Sequence, residues 1–277
     1  MNFRIRFGER ADLVQREENN MGIIKVYGSC GALVSQNEDN ANYLVDDIIK
    51  IDLGSHSLKS MLDNGVDITK IKAFLFTHMH SDHTLNLPAL LFHFWVKTGS
   101  VSSLRLLGPK GELKKRYNAA YDYAFYDWQE LRANKAFGEA KLFELEGGEE
   151  LDFGTHTVKP IKAYHTVPAL AYRITEKATA HSVCFTGDTE YNEKMSAAFS
   201  KSQLIVSECN NGLDVNCDNS AKHQNCLDAT KLLNNSGSER MLLTHISYPD
   251  KRHTLEECRR HSDKPIDLAM FGNTYEY

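Results

Sequence analysis

The sequence predicts an α/β layered fold formed by a single domain. Short runs rich in Val, Ile, Leu and Phe recur along the chain, and most end at Gly, His or Asp, as buried strands do before a turn. Helical patterns lie between these runs, and strands that alternate with helices favour a layered α/β architecture. After residue 21, no Pro- or Ser-rich linker, low-complexity tract or repeat of fixed period divides the chain.

The elements are predicted from their apolar runs in chain order. The predicted strands are IIKVYG, the two halves of NYLVDDIIKIDLG on either side of Asp46-Asp47, KAFLFT, SLRLLG, HTVKPIKAY, LAYRIT, SVCFTG, QLIVSE and RMLLTH. The predicted helices are SHSLKSMLDNG, which stops at Gly65, then 85–96, a stretch that starts at Tyr117 and runs through Leu131, 190–200 and 225–234.

Composition limits the class of protein. The chain is 42% hydrophobic and 25% charged, which is a globular composition. Its net charge of −5 gives no electrostatic help to non-specific nucleic-acid binding. No apolar run approaches the ~20 residues needed to span a bilayer, so we expect no membrane association. Six cysteines in 277 residues are too few for a disulfide scaffold, which favours a reducing cytoplasm.

Residues 1–21 are predicted to be a polar extension, and the domain is predicted to span residues 22–277. The extension is rich in charge and lacks both a clear period and the apolar core of a signal peptide. Either Met1 or Met21 can be the natural start, and the sequence does not decide between them.

A dense set of potential metal ligands follows the strand FLFT. His78, His80, Asp82 and His83 fall within six residues, and imidazole and carboxylate are the groups that bind divalent metals such as zinc. In an extended or turning loop, the first two can face one point while the last two reach a second point nearby. The spacing therefore suits two metals better than one.

Three further candidates lie later in the chain, each just after an apolar strand. They are His165 after VKPIKAY, Asp188 after SVCFTG and His245 after RMLLT. A single His or Asp at a strand end is more often a cap or a surface group. The repetition of the pattern favours a shared metal site at one edge of a sheet.

The pattern HMHSDH resembles the HxHxDH signature of the metallo-β-lactamase superfamily, and the order of the later ligands is similar too. The resemblance covers residues 24 to at least 247 and implies an αββα sandwich with two metals at the sheet edge. It implies the following ligands: His78, His80 and His165 for one metal, Asp82, His83 and His245 for the other, and Asp188 as the bridge. Zinc is the expected metal, and manganese, iron or nickel also suit such a site.

Within the superfamily, the chain most resembles ribonuclease Z and its phosphodiesterase relatives. The motifs that carry this likeness are VYGSCGALVSQ, IDLG, ITKIKAFLFTHMHSDHTLNLPALL, HTVPALAYRI, TGDT and LLTHIS. The likeness implies that Glu208 and His223 help to bind the scissile phosphate and to protonate the leaving oxygen, although the match around His223 is poorer. The alternatives are a strand-end carboxylate and a helix-start residue.

One departure from ribonuclease Z bears on the substrate. That family commonly carries a long tRNA-gripping arm between the third His ligand and the bridging Asp, whereas here Asp188 follows His165 by only 23 positions. We therefore expect a small phosphodiester or cyclic nucleotide, and RNA is not favoured. The alternatives are a ribonuclease Z-type tRNA 3′ endonuclease, a hydrolase of thioesters, lactones or β-lactams on the same scaffold, and a metal-bound binding protein without turnover.

The resemblance also implies a mechanism. A hydroxide shared by the two metals would attack phosphorus in line. Asp82 would orient this hydroxide or accept its proton, and His223, held by Glu208, would protonate the leaving oxygen. Asp52, at the end of the strand IDLG, either orients the metal-binding loop or is a simple turn residue before Gly54.

Three other patterns are given less weight. The aromatic residues of 117–137 are interpreted as core packing rather than as base-stacking groups. Tyr123 and Tyr126 lie outside the main stripe, which is the set of apolar side chains that recur at helical spacing from Tyr117. The apolar stretch 85–96 can serve a homodimer interface. A second zinc site is disfavoured because its candidates form no CxxC pair; they are Cys209, Cys217, His223 and Cys226.

Overall fold

The computed structural model describes residues 4–6, 21–246 and 251–277, so most of the predicted extension over residues 1–21 lies outside the described residues. The strands are β1 (Arg4–Arg6), β2 (Ile23–Gly28), β3 (Asn42–Val45), β4 (Ile49–Ile51), β5 (Ala73–Leu75), β6 (Arg105–Pro109), β7 (Lys141–Leu145), β8 (Glu150–Asp152), β9 (His156–Tyr164), β10 (Pro168–Glu176), β11 (Ser182–Phe185), β12 (Leu204–Glu208), β13 (Arg240–Thr244), β14 (Ile266–Leu268) and β15 (Thr274–Glu276). The α-helices are α1 (Ser57–Asp63), α2 (Ser81–Thr84), α3 (Leu87–Thr98), α4 (Leu113–Ala124), α5 (Gln129–Ala133), α6 (Glu193–Ala198), α7 (Cys226–Ser236) and α8 (Lys251–Arg260).

The strands form two mixed sheets. One has the order β1-β8-β9-β10-β11-β12-β13-β14, and the other has the order β15-β2-β3-β4-β5-β6-β7. Each sheet contains a run of parallel neighbours, β4 to β7 in the second sheet and β11 to β14 in the first. Ligands of open α/β sheets commonly bind beyond the carboxyl ends of such strands, and every candidate metal ligand in this chain follows one of these strands or the β9 strand.

Three apolar layers hold the sheets and helices together. The central layer lies between the two sheets and includes Tyr43, Tyr172 and Phe185. A second layer packs α3 and α4 against the seven-stranded sheet, and a third packs α6, α7 and α8 against the eight-stranded sheet. The order helix, sheet, sheet, helix confirms the predicted αββα sandwich in a single domain. Among the helices of the described part, none has the length and apolar character needed to cross a lipid bilayer.

The helix predicted from Tyr117 through Leu131 is wrong in its extent, because α4 ends at Ala124 and a separate short helix, α5, follows. The fully buried Phe125 stacks on Phe137 with ring centroids 4.1 Å apart, and the chain turns there. The turn brings Trp128 against Phe92, with ring centroids 6.0 Å apart. Aromatic packing therefore overrides the helical period at this point.

The aromatic residues of 117–137 mostly form core, as predicted. Tyr117, Tyr121 and Phe125 are buried in the layer beneath the seven-stranded sheet. Tyr123 and Tyr126 are exposed, which agrees with their position off the main stripe.

The carboxyl-terminal residue is fixed inside the sandwich, far along the chain from the groups that it contacts. The Tyr277 side chain is buried, and its hydroxyl donates to Asp46 Oδ2 at 2.6 Å. The same carboxylate lies 2.7 Å from His156 Nε2 and accepts from the Ile23 N–H at 2.8 Å. A Cβ on Gly22 would lie 2.3 Å from the Tyr277 ring, so only glycine fits beside it. We call Tyr277, Asp46 and His156 the terminal clamp.

Candidate metal centre

The histidine-rich turn lies directly after β5. His78 is fully buried, and its Nε2 lies 3.1 Å from His80 Nδ1. His165, in the turn between β9 and β10, brings its Nε2 to 3.2 Å from the same His80 Nδ1. These three residues, which belong to both sheets, form one group of potential ligands whose atoms all lie within 4.8 Å of one another.

A second group lies beside the first. It consists of Asp82, His83, Asp188 and His245, whose ligand atoms also lie within 4.8 Å of one another. His245 Nε2 is 3.4 Å from His83 Nε2 and 3.4 Å from Asp82 Oδ2. The structure therefore brings together all seven residues that the sequence indicated.

Asp188 lies between the two groups. Its Oδ2 is 3.3 Å from His245 Nε2 and 3.7 Å from His78 Nε2, and its Oδ1 is 3.5 Å from His83 Nε2. The residue before it, Gly187, has a φ of +57°, and a Cβ there would lie 2.6 Å from the Thr77 side chain. The glycine thus lets the loop after β11 approach the histidine-rich turn closely enough for the carboxylate to face both groups.

The donor set fits divalent cations. Burial lowers the pKa of His165 to about 4 and holds the pKa of His78 well below its usual range, so both rings are neutral near pH 7. The Nε2 atoms of His78 and His165 both lie 3.1–3.2 Å from His80 Nδ1, and a single N–H on that nitrogen could satisfy only one of them. Lone pairs and carboxylate oxygens that converge in this way are the donors that zinc and similar ions take.

The opposite nitrogens of three rings face acceptors, which fixes their tautomers. His83 Nδ1 donates to Asp52 Oδ2 at 2.8 Å, and His165 Nδ1 donates to the Lys222 carbonyl at 3.3 Å. His78 Nδ1 lies 3.2 Å from Thr77 Oγ1. In each case Nε2 is left free to face the centre, which is the usual role of groups behind a metal-binding histidine.

Asp52 holds the histidine-rich turn in place. Its buried carboxylate accepts from the Thr77 N–H at 2.8 Å and from Thr77 Oγ1 at 2.7 Å, in addition to His83. Its φ of +51° places it in the left-handed region, an uncommon conformation that the three hydrogen bonds stabilise. Of the two interpretations open at the sequence level, the contacts favour the orienting role over a simple turn.

A buried lysine, Lys50, donates a hydrogen bond to the Asp52 backbone carbonyl. The sequence analysis did not identify this residue. Lys50 Nζ donates to the carbonyls of Ile51 and Asp52, at 3.0 and 2.7 Å, and to Asn42 Oδ1 at 2.9 Å. Complete burial lowers the pKa of Lys50 to about 7, against the opposing effect of Asp52 and Asp39. The lone Lys in the apolar strand IIKI was the available signal, since a charged residue inside a buried strand requires partners.

We expect Asp52→Asn to lower the affinity for divalent metal by roughly 10–100-fold, because the amide cannot accept from His83 as the carboxylate does. Competition with a chromophoric chelator measures this affinity. Asp47→Asn is the matched control, since Asp47 also has a positive φ but lies in the exposed turn between β3 and β4. Equal affinities in the two variants would contradict the orienting role.

Glu208 and His223 form a hydrogen-bonded pair next to Asp188. His223 Nδ1 lies 2.9 Å from Glu208 Oε1 and 3.9 Å from Asp188 Oδ2. The Glu208 carboxylate also accepts from the backbone N–H groups of Thr189 and Asn210, at 2.8 and 2.9 Å. Burial disfavours the charged imidazolium, but the hydrogen bond and charge of Glu208, together with Asp188, outweigh it and raise the pKa of His223.

A cavity of about 610 Å³ opens over the two groups. His165 and His223 line it together with His80, Asp82, Asp188 and His245, and we call these last four residues its floor. The loop after β2, residues 31–35, which we call the mouth loop, also lines the cavity. Sequence reasoning missed this loop as a site element, along with Thr166, Asn210 and Ala221. The motif VYGSCGALVSQ, which spans the loop, was the available signal.

Comparisons with known proteins agree with this geometry. A family model described as "Beta-lactamase superfamily domain" matches residues 45–246. The "Probable metallo-hydrolase YhfI" of Bacillus subtilis (strain 168) is 27% identical over 257 residues, which cover 91% of this chain and 99% of that protein. Ribonuclease Z of Picrophilus torridus is 29% identical over 136 residues, which cover 48% of this chain and 40% of the relative.

Solved structures show the same fold. The crystal structure of YhfI from Bacillus subtilis superposes with a TM-score of 0.74 at 25% identity and covers 93% of this chain and 100% of its own. The short form of human tRNase Z gives a TM-score of 0.69, with 91% of this chain and 98% of its own covered. A diphosphatase from the PhnP family gives 0.66, with 92% and 98% covered. The last two are 16% identical to this chain, so their likeness concerns the fold alone.

Proposed function

The chain belongs to the beta-lactamase superfamily of metal-dependent hydrolases, and from this premise we propose that it is a phosphodiesterase that cleaves small phosphodiesters, cyclic nucleotides among them. The observation that carries the proposal is the Glu208–His223 pair, whose 2.9 Å hydrogen bond lies beside the two ligand groups. Hydrolysis of a phosphodiester needs a proton for an alkoxide leaving group, and a buried histidine with a carboxylate partner can supply it.

The two ligand groups would hold two divalent cations. His78, His80 and His165 would bind the first, Asp82, His83 and His245 would bind the second, and Asp188 would contact both. Zinc suits this mixture of imidazole and carboxylate, and manganese, iron and nickel accept it as well. When bound, such a pair of cations activates water and neutralises charge on phosphoryl oxygens.

The orientation of the attacking water and the proton transfers would be performed by the protein's own side chains. Asp82 faces the cavity and would orient the attacking water or accept its proton. Because the Nδ1 of His223 is engaged by Glu208, the Nε2 is left to donate a proton to the leaving oxygen. The Glu208 carboxylate is held by two backbone N–H groups, so it keeps the imidazole in one orientation during this transfer.

The short segment between His165 and Asp188 bears on the size of the substrate. Within this fully described stretch, β10 and β11 are joined by residues 177–181, and the chain adds no arm that could grip a folded RNA. Small substrates are therefore favoured. The similarity to ribonuclease Z over part of the chain keeps tRNA 3′ cleavage as the alternative, and a thioester or lactone hydrolase on the same scaffold is the other one.

A substrate panel tests the proposal. Protein loaded with zinc or manganese is assayed against bis-p-nitrophenyl phosphate, 2′,3′- and 3′,5′-cyclic nucleotides, a tRNA precursor with a 3′ trailer, an acyl thioester and a lactone. We expect turnover of the small phosphodiesters. Asp188→Asn should lose both this turnover and bound metal, as measured by elemental analysis. Turnover of the thioester or lactone alone would overturn the proposal, and turnover of the tRNA precursor alone would favour the alternative.

We also propose that the chain forms homodimers and works in the cytoplasm. Leu85, Phe92 and Val96 are exposed around α3, where a second subunit would cover them. All six cysteines are free thiols, as a reducing compartment requires. Light scattering after gel filtration measures the subunit number, and a monomeric mass at micromolar concentration would contradict the dimer.

A further inference from the structure

The mouth loop is anchored firmly at its base. A Cβ on Gly31 would lie 3.1 Å from His245 Cε1 and 3.3 Å from Asn210 Oδ1, so the backbone passes close to the floor of the cavity. The Gly31 carbonyl accepts from Asn40 Nδ2 at 2.7 Å, and Asn40 is buried. The loop therefore starts from a fixed position next to a candidate metal ligand.

Beyond this base, the mouth loop presents apolar side chains to solvent. Leu33 is 88% exposed and Val34 is 46% exposed, and both line the cavity together with Ala32. Leu33 has the largest exposed fraction among the large hydrophobic side chains of the described residues. Exposed apolar side chains at the mouth of a polar cavity gain free energy when a ligand covers them, by about 0.8 kcal/mol per buried CH₂ group.

The described residues that line the cavity provide no lysine or arginine side chain for a second negative charge on a ligand. Lys251, which contacts Cys30 at the base of the mouth loop, is already engaged, with its Nζ 3.5 Å from Glu38 Oε1 and 3.6 Å from Cys30 Sγ. Residues 247–250, which follow His245 and Ile246 in the chain, are Ser, Tyr, Pro and Asp and contain no cation. Phosphate-rich ligands are normally held by Arg and Lys.

We propose that the mouth loop selects phosphodiesters that carry a single negative charge and an apolar alkyl or aryl group, with Leu33 and Val34 as the residues that contact this group. The inference rests on the proposed function and narrows its substrate class. The charged phosphoryl group faces the His and Asp floor, and the ester substituent that is not cleaved lies along the mouth loop. A polyanion such as a nucleotide chain would place further charges where the lining residues provide no partner.

A chain-length series tests this inference. p-Nitrophenyl alkyl phosphates with methyl, propyl, pentyl and heptyl groups share one leaving group and one charge. We expect kcat/KM of the metal-loaded wild type to rise roughly 2- to 4-fold per added methylene until the alkyl group extends beyond the mouth loop. In Leu33→Ser, which keeps Val34, the heptyl-to-methyl ratio should fall at least roughly 10-fold. Leu213→Ser is the matched control, because Leu213 is also exposed but does not line the cavity.

Binding gives a second readout that needs no turnover. Dialkylphosphinates carry one negative charge and have no ester bond, so titration calorimetry can follow their binding to wild type and Leu33→Ser. We expect Kd to fall with chain length more steeply in the wild type than in Leu33→Ser, with a negative heat-capacity change that marks apolar burial. An analogue of equal length with a terminal carboxylate should bind at least roughly 10-fold more weakly, because its second charge loses water without gaining a partner.

The outcomes separate the two proposals. If small phosphodiesters are cleaved but rates and affinities do not depend on chain length, or Leu33→Ser retains the wild-type dependence, the mouth-loop inference is wrong and the proposed function stands. Equal binding of the carboxylate analogue also overturns the inference. If no phosphodiester is cleaved and no phosphinate binds, the proposed function fails with it.

Discussion

Replacing His223 by glutamine is expected to lower kcat/KM for phosphodiesters with alkyl leaving groups by about 10²–10⁴-fold, the usual contribution of a general acid. An alkoxide needs a proton as the ester bond breaks, whereas p-nitrophenolate leaves without one. The same variant should therefore lose much less activity towards bis-p-nitrophenyl phosphate. Parallel kinetics with methyl and p-nitrophenyl esters measure the difference. His253→Gln, an exposed histidine on α8, is the control.

The pH dependence gives an independent check on His223. The general acid must be protonated, so the rate with alkyl esters should be full at low pH and fall as the pH rises through the pKa of His223. This pKa is raised by Glu208 and Asp188 against the effect of burial, so the fall should come above the usual imidazole range. Glu208→Gln should move it to lower pH. Equal losses for both leaving groups, or an unchanged pH profile in Glu208→Gln, would contradict the assignment.

Truncation of the carboxyl-terminal side chain, Tyr277→Ala, is expected to lower the free energy of unfolding by about 3–5 kcal/mol, as for other buried aromatic residues. The substitution empties a space in the layer between the sheets and removes one donor from Asp46. Tyr277→Phe keeps the ring and removes only the hydroxyl, so it should cost about 1–3 kcal/mol. Urea unfolding at fixed metal concentration measures both values.

Tyr123→Ala is the matched control for the terminal clamp, because Tyr123 is 76% exposed. A surface substitution of this kind usually changes stability by less than about 0.5 kcal/mol. If Tyr277→Ala and Tyr123→Ala unfold at the same urea concentration, the buried tyrosine does not stabilise the fold. Activity should change little in Tyr277→Phe, since the terminal clamp shares no residue with the metal centre.

The sequence predicted the elements whose signal is local. β9 has the predicted bounds because HTVKPIKAY has the alternation of a strand. α7 begins where a helix was predicted, since Asn225 and Asp228 form a capping box. The seven metal-ligand candidates were found in the same way, because each belongs to a short motif at a strand end.

Elements that depend on distant partners were not predicted. β8, β14 and β15 have only three residues each, too few for a period, and they exist because a neighbouring strand pairs with them. In α8 only Thr254 and Cys258 are buried, so its apolar stripe is too thin to recognise. The pairing of Glu208 with His223 was expected only from the family resemblance and not from the residues themselves, since His223 follows an irregular segment whose course the sequence does not specify.

The candidate centre draws its residues from both sheets, which the apolar layer between them and the terminal clamp also hold together. The histidine-rich turn belongs to the seven-stranded sheet, while Asp188, Glu208 and His245 belong to the eight-stranded sheet. A hydrogen bond between the hydroxyls of Tyr43 and Thr244 crosses between the sheets one residue before His245. Catalysis therefore depends on how the two sheets are aligned. A sub-ångström shift of one sheet against the other would lower the catalytic rate well before it lowered the free energy of unfolding.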